Sequence, residues 1–431
     1  MNSIKFQKIL YPTVLFLLGL FLRLYNMPID PYGDEAIYYY QAKYLWFVDP
    51  HIFPIPPYRI IHALVFHPFT TSFETFRYAN ILVGASLPVV VYFLAKRLSG
   101  NWIYSYVVSL ILAFSTIHIQ FSQFNFPPTL ATFFAVVGLL LYYKDRPILA
   151  FTFFFLAVFS WEATIVVPAS ILLIDLADSL LDDGFSLRSA LRNLNVSLNL
   201  ILILLTVAAT FDNILLHQPL PGWAKAPLDV HTVIYITGGV FPFVILLYGL
   251  ILQRDFPSTL ISTSPLVFFI GYNLAFGTQI QIWYMIMPLT FLYLYLPKAI
   301  TSAKYPKALL AIVFVISFYV LNPLPYYNNA GLHDGFVIDT AQYIASNYEH
   351  PRIVLVDVFW GYQYWPFGEI GYVVYLDSLN ATWTTITSRD SQELIVVPTS
   401  EITKFKTLRT RCRLKVIYQN PDLTVLAVRE C

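Results

Sequence analysis

Apolar runs of about twenty residues recur along most of this chain, and that pattern leaves few folds open to it. A helix of that length just crosses the hydrocarbon of a bilayer, where every backbone polar group must be bonded within its own segment. Composition agrees: of 431 residues, 57% are hydrophobic and only 12% charged, with a mean hydropathy of +0.63. The expected architecture is an all-α polytopic membrane bundle of about eleven transmembrane helices. They fall near 8–25, 76–97, 102–119, 128–143, 147–161, 163–177, 196–211, 232–252, 258–277, 283–297 and 308–322. The first run ends in Arg23 and lacks a small-residue cleavage site, so it reads as a retained span.

Basic residues orient the bundle. With the N-terminus cytoplasmic, the inner segments hold Lys5, Lys8, Lys96, Arg97, Lys144, Arg146, Arg188, Arg192, Arg254, Lys298, Lys304 and Lys307. The outer loops before the C-terminal region hold Lys43, Arg59 and Lys225, with Arg23 and Arg77 at span ends. That asymmetry is the positive-inside bias of a multi-pass protein of the cell membrane. A net charge of +1 with no basic stripe gives no reason to expect nucleic acid.

Everything polar enough for chemistry then collects on the outer side, chiefly in the loop 26–75. Pro28, Pro31 and Gly33 break the first helix, and Asp34 is placed to start a new one, with Glu35 beside it. In the segment that follows, Asp34, Tyr38 and Gln41 share one helical face and Ile37, Tyr40 and Tyr44 another. This reads as a helix in the membrane interface with tyrosines at headgroup level. Asp34 is then either a helix cap or a carboxylate presented to a cavity, and the residues alone fit both. Farther along, Pro54, Pro56 and Pro57 precede Arg59 and a short run, Ile60–Phe69, that fits a second interfacial helix.

Other outer residues carry two readings each. Arg77 at the start of the second span is a snorkelling anchor or a guanidinium offered to a phosphate. Glu162 lies between two apolar spans, solvated in a tight turn or facing a cation. His118, Gln120 and Asn125 read as polar loop rather than a ligand set. Trp283-Tyr284 belongs to an aromatic belt or stacks on a sugar face. Lys225, in the proline-rich loop 212–231, is a further outer cation.

After Asn322 the long apolar runs stop, so residues 1–322 are expected to form the membrane domain and 323–431 a small extracytoplasmic α/β domain. A helix near 336–348 is followed by strands near 353–358, 372–376, 394–397, 414–418 and 423–428, with another helix near 401–409. Asn420-Pro421-Asp422-Leu423 makes a turn that sets Tyr418 opposite Val425, Val416 opposite Ala427 and Cys412 opposite Cys431. A disulfide between Cys412 and Cys431 is expected there, two unpaired thiols being the alternative. No Cys/His cluster has zinc spacing.

The order of these features resembles the C-type superfamily of glycosyltransferases, in the branch of the dolichyl-phosphate-mannose protein mannosyltransferases and aminoarabinose transferases. The resemblance rests on Gly33-Asp34-Glu35-x-x-Tyr38, Pro56-Pro57-Tyr58, Arg77-x-x-Asn80-x-x-x-Gly84 and Tyr92-x-Leu94-Ala95-Lys96-Arg97-Leu98-Ser99-Gly100, and weakly on Trp283-Tyr284-x-x-x-Pro288. It runs from about residue 8 to 177. It implies a polyprenyl-phosphate sugar donor and a protein, lipid or glycan acceptor, with Asp34 as catalytic carboxylate and Glu35 beside it. Departures are Ile55-Pro56-Pro57 where the family has His-Pro-Pro, Ser122-Gln123 where it has Ser-Arg, and Trp283-Tyr284 where it has Arg-Tyr. Charged positions that serve the donor phosphate or a metal are thus missing, which leaves Arg77 and Lys225, with Tyr38, Arg59, Glu162, Trp283 and Tyr284, as substrate-binding candidates. No cofactor is required; a divalent cation on Asp34 and Glu35 is compatible with hard oxygen ligands. A transporter, or a receptor using the outer domain, is the competing class, but no internal repeat or mid-membrane charge supports a transporter.

Overall fold

The computed structural model describes residues 3–25, 27–31, 34–45, 55, 57–182, 193–216, 255–276, 282–321, 335–356, 358, 366–370, 372–376, 393–402 and 413–430. The chain divides into two compact units, Met1–Tyr25 with Leu45–Pro325, and Asn26–Tyr44 with Tyr326–Cys431. The first outer loop, expected to lie wholly with the bundle, is thus split: residues 26–44 cluster with the C-terminal sheet.

The first unit is helical. In chain order it holds α1 (Ser3–Leu24), α3 (Ile60–Phe66), α4 (Phe73–Ser99), α5 (Trp102–Phe114), α6 (Thr116–Gln123), α7 (Pro127–Tyr142), α8 (Pro147–Val158), α9 (Val166–Asp182), α10 (Leu194–Leu216), α11 (Phe256–Phe276), α12 (Ile286–Thr301) and α13 (Pro306–Leu321); α2 (Glu35–Tyr44) belongs to the second unit. Helices occupy the expected positions except 232–252, which lies outside the described residues. Among the described residues, Phe73–Ser99 is the one helix both long and continuously apolar enough to cross a bilayer, joined by α5 and α6 if that pair, bent by 53°, counts as one span. In length, α1, α10 and α11, at 22, 23 and 21 residues, reach the roughly 30 Å hydrocarbon core at about 1.5 Å rise per residue, whereas α7 and α12, at 16 residues each, are shorter. What the structure carries of the expected eleven crossings is therefore a mostly helical bundle. Its outward faces are apolar: Leu17 and Phe21 on α1, Leu204 on α10, Val267 on α11 and Val315 on α13 are exposed, as suits hydrocarbon rather than water.

Local chemistry sets the helix ends. Ser72 caps α4 in a reciprocal box with Thr75, and Gly100, at φ +66°, ends it in the left-handed conformation that glycine adopts without strain. Asn101 then starts α5, its Oδ1 accepting from the backbone of Ile103 at 3.0 Å and Tyr104 at 3.2 Å. The Ser-Gly segment that closes the Tyr92–Gly100 motif is thus the stop of one helix, and its next residue starts another.

The second unit is a five-stranded sheet, β1 (Arg352–Val356), β2 (Tyr372–Leu376), β3 (Glu393–Pro398), β4 (Arg413–Gln419) and β5 (Leu423–Glu430), in the order β2-β1-β3-β5-β4. β1 runs parallel to β2 and β3, while β5 is antiparallel to β3 and β4. Alternate residues fill two apolar layers. Ile353, Leu355, Leu394, Val396 and Val425 pack with Val337, Ala341 and Ile344 of α14 (Phe336–Asn347), and Val354, Val356, Ile395, Val397 and Leu426 form the other layer. Tyr418 faces Val425 as expected, but Val416 faces Leu426 rather than Ala427, because a bulge falls between Val416 and Tyr418. A second irregularity, between Arg413 and Leu414, restores the register so that Arg413 faces Glu430. Cys412, Cys431 and residues 403–409 of the helix expected near 401–409 lie outside the described residues.

Candidate active site

The expected catalytic pair stands at the start of α2. The Asp34 carbonyl accepts from the backbone N–H of Ile37 at 3.0 Å and of Tyr38 at 3.1 Å, which makes Asp34 the first residue of the turn. One turn on, the Tyr38 hydroxyl reaches the Asp34 Oδ2 at 3.5 Å, a long contact that the i, i+4 spacing allows. Asp34 is half-buried, whereas Glu35 is fully buried. The two neighbours therefore differ in kind: one carboxylate is presented, the other enclosed.

The tyrosines of this helix, expected at headgroup level, divide into a buried pair and a partly exposed pair, Tyr40 and Tyr44. Tyr38 and Tyr39 are each 3% exposed and Ala36 is completely buried. Ala36 joins the apolar layer of Val337, Ala341, Ile353 and Leu355 in the second unit. At the far end of α2, Lys43 Nζ meets Glu369 Oε1 at 2.5 Å. Ahead of the helix, fully buried Asp30 accepts from Val337 N on Oδ2 and Ile338 N on Oδ1, both at 3.0 Å.

The remaining candidates belong to the other unit. Arg77 is buried, not snorkelling; its guanidinium lies 4.6 Å from the ring centre of Phe73 and 5.4 Å from that of Phe124. Arg59 ends a short 3₁₀ turn, Pro57–Arg59. Next to it, Ile61 N donates to Phe159 O at 2.9 Å, which brings the Arg59 turn to the segment leading into Glu162. Glu162 opens a 3₁₀ turn, Glu162–Ile165, directly after Trp161. Trp161 stacks on Phe269 at 5.5 Å and meets Tyr284 at 5.5 Å, and Phe269 stacks on Tyr284 at 5.6 Å. Arg59, Glu162 and Tyr284 are thus gathered at one end of the bundle, and Tyr284 already has protein rings on it. The Trp283 side chain and Lys225 lie outside the described residues.

Asn80 and Gly84, from the motif that begins with Arg77, have packing roles. The Asn80 amide donates toward the carbonyls of Phe121 (3.3 Å), Ser122 (3.2 Å) and Phe124 (2.7 Å). These lie where α6 ends and its last carbonyls have no helical partner. A Cβ on Gly84 would stand 2.1 Å from Ser122 Oγ, so only glycine lets α4 and α6 approach this closely. Asn125 donates to Phe76 O at 2.9 Å and accepts from His62 Nε2 at 2.9 Å. An amide oxygen can only accept, so Nε2 carries the proton. Burial of His62 pulls its pKa from 6.5 down to about 3, with the Arg59 charge acting the same way and the Asn125 bond opposing. His118 is likewise engaged, with Ser115 Oγ at 2.9 Å and Thr290 Oγ1 at 2.9 Å.

Among the described residues, no three His, Cys, Asp or Glu side chains converge as a metal site. Asp34 and Glu35 remain the two hard oxygen donors at the candidate site, and only Asp34 is presented.

Comparison with known proteins adds the following. Residues 56–168 match the family model for dolichyl-phosphate-mannose-protein mannosyltransferase. No curated protein sequence matches the chain significantly. In fold, the chain is similar to ArnT from Cupriavidus metallidurans in the apo state, with a TM-score of 0.64, 11% identity, and 99% of this chain covering 98% of that one. ArnT bound to undecaprenyl phosphate gives 0.61 at 11% identity, 96% covering 97%. The Archaeoglobus fulgidus oligosaccharyltransferase complexed with zinc and sulfate gives 0.55 at 14% identity, with 91% of this chain covering 68% of that one.

Proposed function

We infer, from a fold and a mannosyltransferase sequence pattern that identify the chain as a C-type membrane glycosyltransferase, that it uses Asp34 to move a monosaccharide from a polyprenyl phosphate to an acceptor. The observation that carries this reading is the pairing at the start of α2: a presented Asp34 beside an enclosed Glu35, with the Tyr38 hydroxyl on the same face. The acceptor, a hydroxyl of a protein, lipid or glycan, attacks the anomeric carbon through its oxygen. Asp34 takes the hydroxyl proton as the new bond to that carbon forms. The bond from that carbon to the phosphate oxygen breaks, the polyprenyl phosphate leaves, and attack from the opposite face inverts the centre.

The departing phosphate needs a cation. Arg59, Arg77 and Lys225 are the candidates of this chain, the guanidinium fork being the better match to phosphate. A divalent cation would act as a Lewis acid on the phosphate; of the expected pair, Asp34 is presented to hold it, whereas Glu35 is enclosed. The eleven-span topology, a cytoplasmic N-terminus and an extracytoplasmic C-terminal domain belong to the same proposal, as do Glu162, Trp283 and Tyr284 as sugar or acceptor contacts.

Incubation of the full-length protein with a panel of polyprenyl-phosphate sugars tests it. Asp34→Asn is expected to lower transfer by roughly 10²- to 10⁴-fold, the range of a lost general base, with melting temperature unchanged. Transfer near the wild-type rate overturns the assignment.

A further inference from the structure

We propose that Asp30 is a positioning residue for Asp34, and that the C-terminal domain is the mount on which the catalytic carboxylate is held. The proposal rests on the reading of Asp34 as base. Its observations all lie within the unit formed by residues 26–44 and 326–431.

Asp30 carries an ionisable carboxylate yet is completely buried, a placement that is costly unless the charge is bonded on both sides. It is so bonded. Its two oxygens take the N–H groups of Val337 and Ile338 separately, each at 3.0 Å. These donors stand in the first turn of α14, where the helix has no internal acceptor for them and its dipole favours an anion. α14 itself cannot cap there, because the residue before it is Gly335, at φ +73° and without a side chain. A Cβ at position 335 would meet Ile29 Cγ2 at 3.3 Å, so the segment carrying Asp30 lies closely over this end of the helix. The cap of α14 thus comes from a residue more than 300 positions earlier in the chain.

Asp34 follows four residues later, with Pro31 between them. Four residues span at most about 14 Å, so an anchored Asp30 limits where Asp34 can be. On its other side α2 is held by Ala36 in the apolar layer under α14 and by Lys43 on Glu369. The carboxylate sits between these ties, and a misplacement of about 1 Å at a reacting group costs on the order of 10²-fold in rate.

The test uses full-length protein in lipid nanodiscs and compares wild type, Asp30→Ala, Asp30→Asn and Asp34→Asn. Rates are normalised to donor-binding stoichiometry, so that only folded enzyme is counted. Asp30→Ala is expected to lower kcat at least tenfold while donor KM stays within twofold. Asp30→Asn, which keeps one acceptor oxygen, is expected to fall between the two. Amide hydrogen exchange gives a readout that does not depend on activity. Val337 and Ile338 should lose protection in Asp30→Ala, and the amides of Ile37 and Tyr38 should lose it with them. Unchanged kcat, or Ile37 and Tyr38 staying protected while Val337 and Ile338 open, overturns the proposal. If Asp34→Asn is active, the base assignment falls by itself, and the exchange coupling still decides whether Asp30 fixes α2. If Asp34→Asn is inactive and Asp30→Ala is not, only the positioning role falls.

Discussion

The polar residues around Asn80 and those at the start of α2 were equally conspicuous in the sequence, yet they serve opposite ends. Asn80, Asn125 and His62 lie inside the bundle: Asn80 is bonded to carbonyls at the end of α6, Asn125 to Phe76 O in the first turn of α4, and His62 to Asn125. They are neutral, and what they secure is the approach of α4 to α6. At α2 a charged group is left half-open, while the groups that hold it, Asp30 and Lys43, point away into their own domain. A polar residue in such a chain is therefore informative by how far it is enclosed, more than by being there.

Substitutions can break or sharpen that contrast. Asp34→Asn should give the largest functional loss with no loss of stability, and Asn80→Leu the reverse. Leucine would take the Asn80 donor from the Ser122 carbonyl, while Phe121 and Phe124 keep Thr129 Oγ1 and Phe126 N; a lost buried hydrogen bond costs about 1–3 kcal/mol, read as a lower melting temperature with per-molecule turnover retained. Gly84→Ala should follow, because its methyl group would overlap Ser122; overpacking of this kind costs about 1–3 kcal/mol and would appear in the same melting assay.

His62 gives the pH counterpart. Its folded pKa, held near 3 by burial, lies below the ordinary 6.5, so between these values the unfolded chain binds a proton that the folded chain refuses. Its contribution is complete above about 6.5 and declines as pH falls toward 3. His62→Gln should flatten that part of the melting profile, and an unchanged slope would remove His62 from it. Arg77→Gln should raise donor KM several-fold with acceptor KM unchanged. The smallest effect is expected at Lys43–Glu369, whose side chains are each 29% exposed. Lys43→Met should cost under about 1 kcal/mol, as partly exposed ion pairs do.

Periodicity and turn chemistry made much of this fold legible. The strand 372–376 was placed at its observed bounds, and α14 within a residue. The family resemblance led to Asp34 and Glu35. Two things were out of reach for physical reasons. The bulge near Ile417 depends on how the sheet twists, which alternation does not encode. Asp30 shows no local sign of its role, because its partners are over 300 residues away and no local window contains both. The tyrosines of α2 were ambiguous for a related reason: an amphipathic helix reads alike whether its apolar face meets lipid or a distant strand. Arg77, Asn80 and Gly84 were legible as a motif, but that Asn80 and Gly84 serve packing was visible only once α6 lay beside them.

The distance between Asp30 and α14 also has a consequence for how the protein is made. During synthesis the residues of α2 emerge early, but the helix that Asp30 caps comes 307 positions after it. At roughly 5–20 residues per second, the nascent chain carries Asp34 without its mount for on the order of a quarter of a minute to a minute. For that interval the bundle is being inserted while its acidic loop has nothing to dock on. A chain stopped anywhere before residue 336 would hold Asp34 and still lack the helix that seats it. Competence is then conferred late, so that a chain stopped short of α14 is a quiet one.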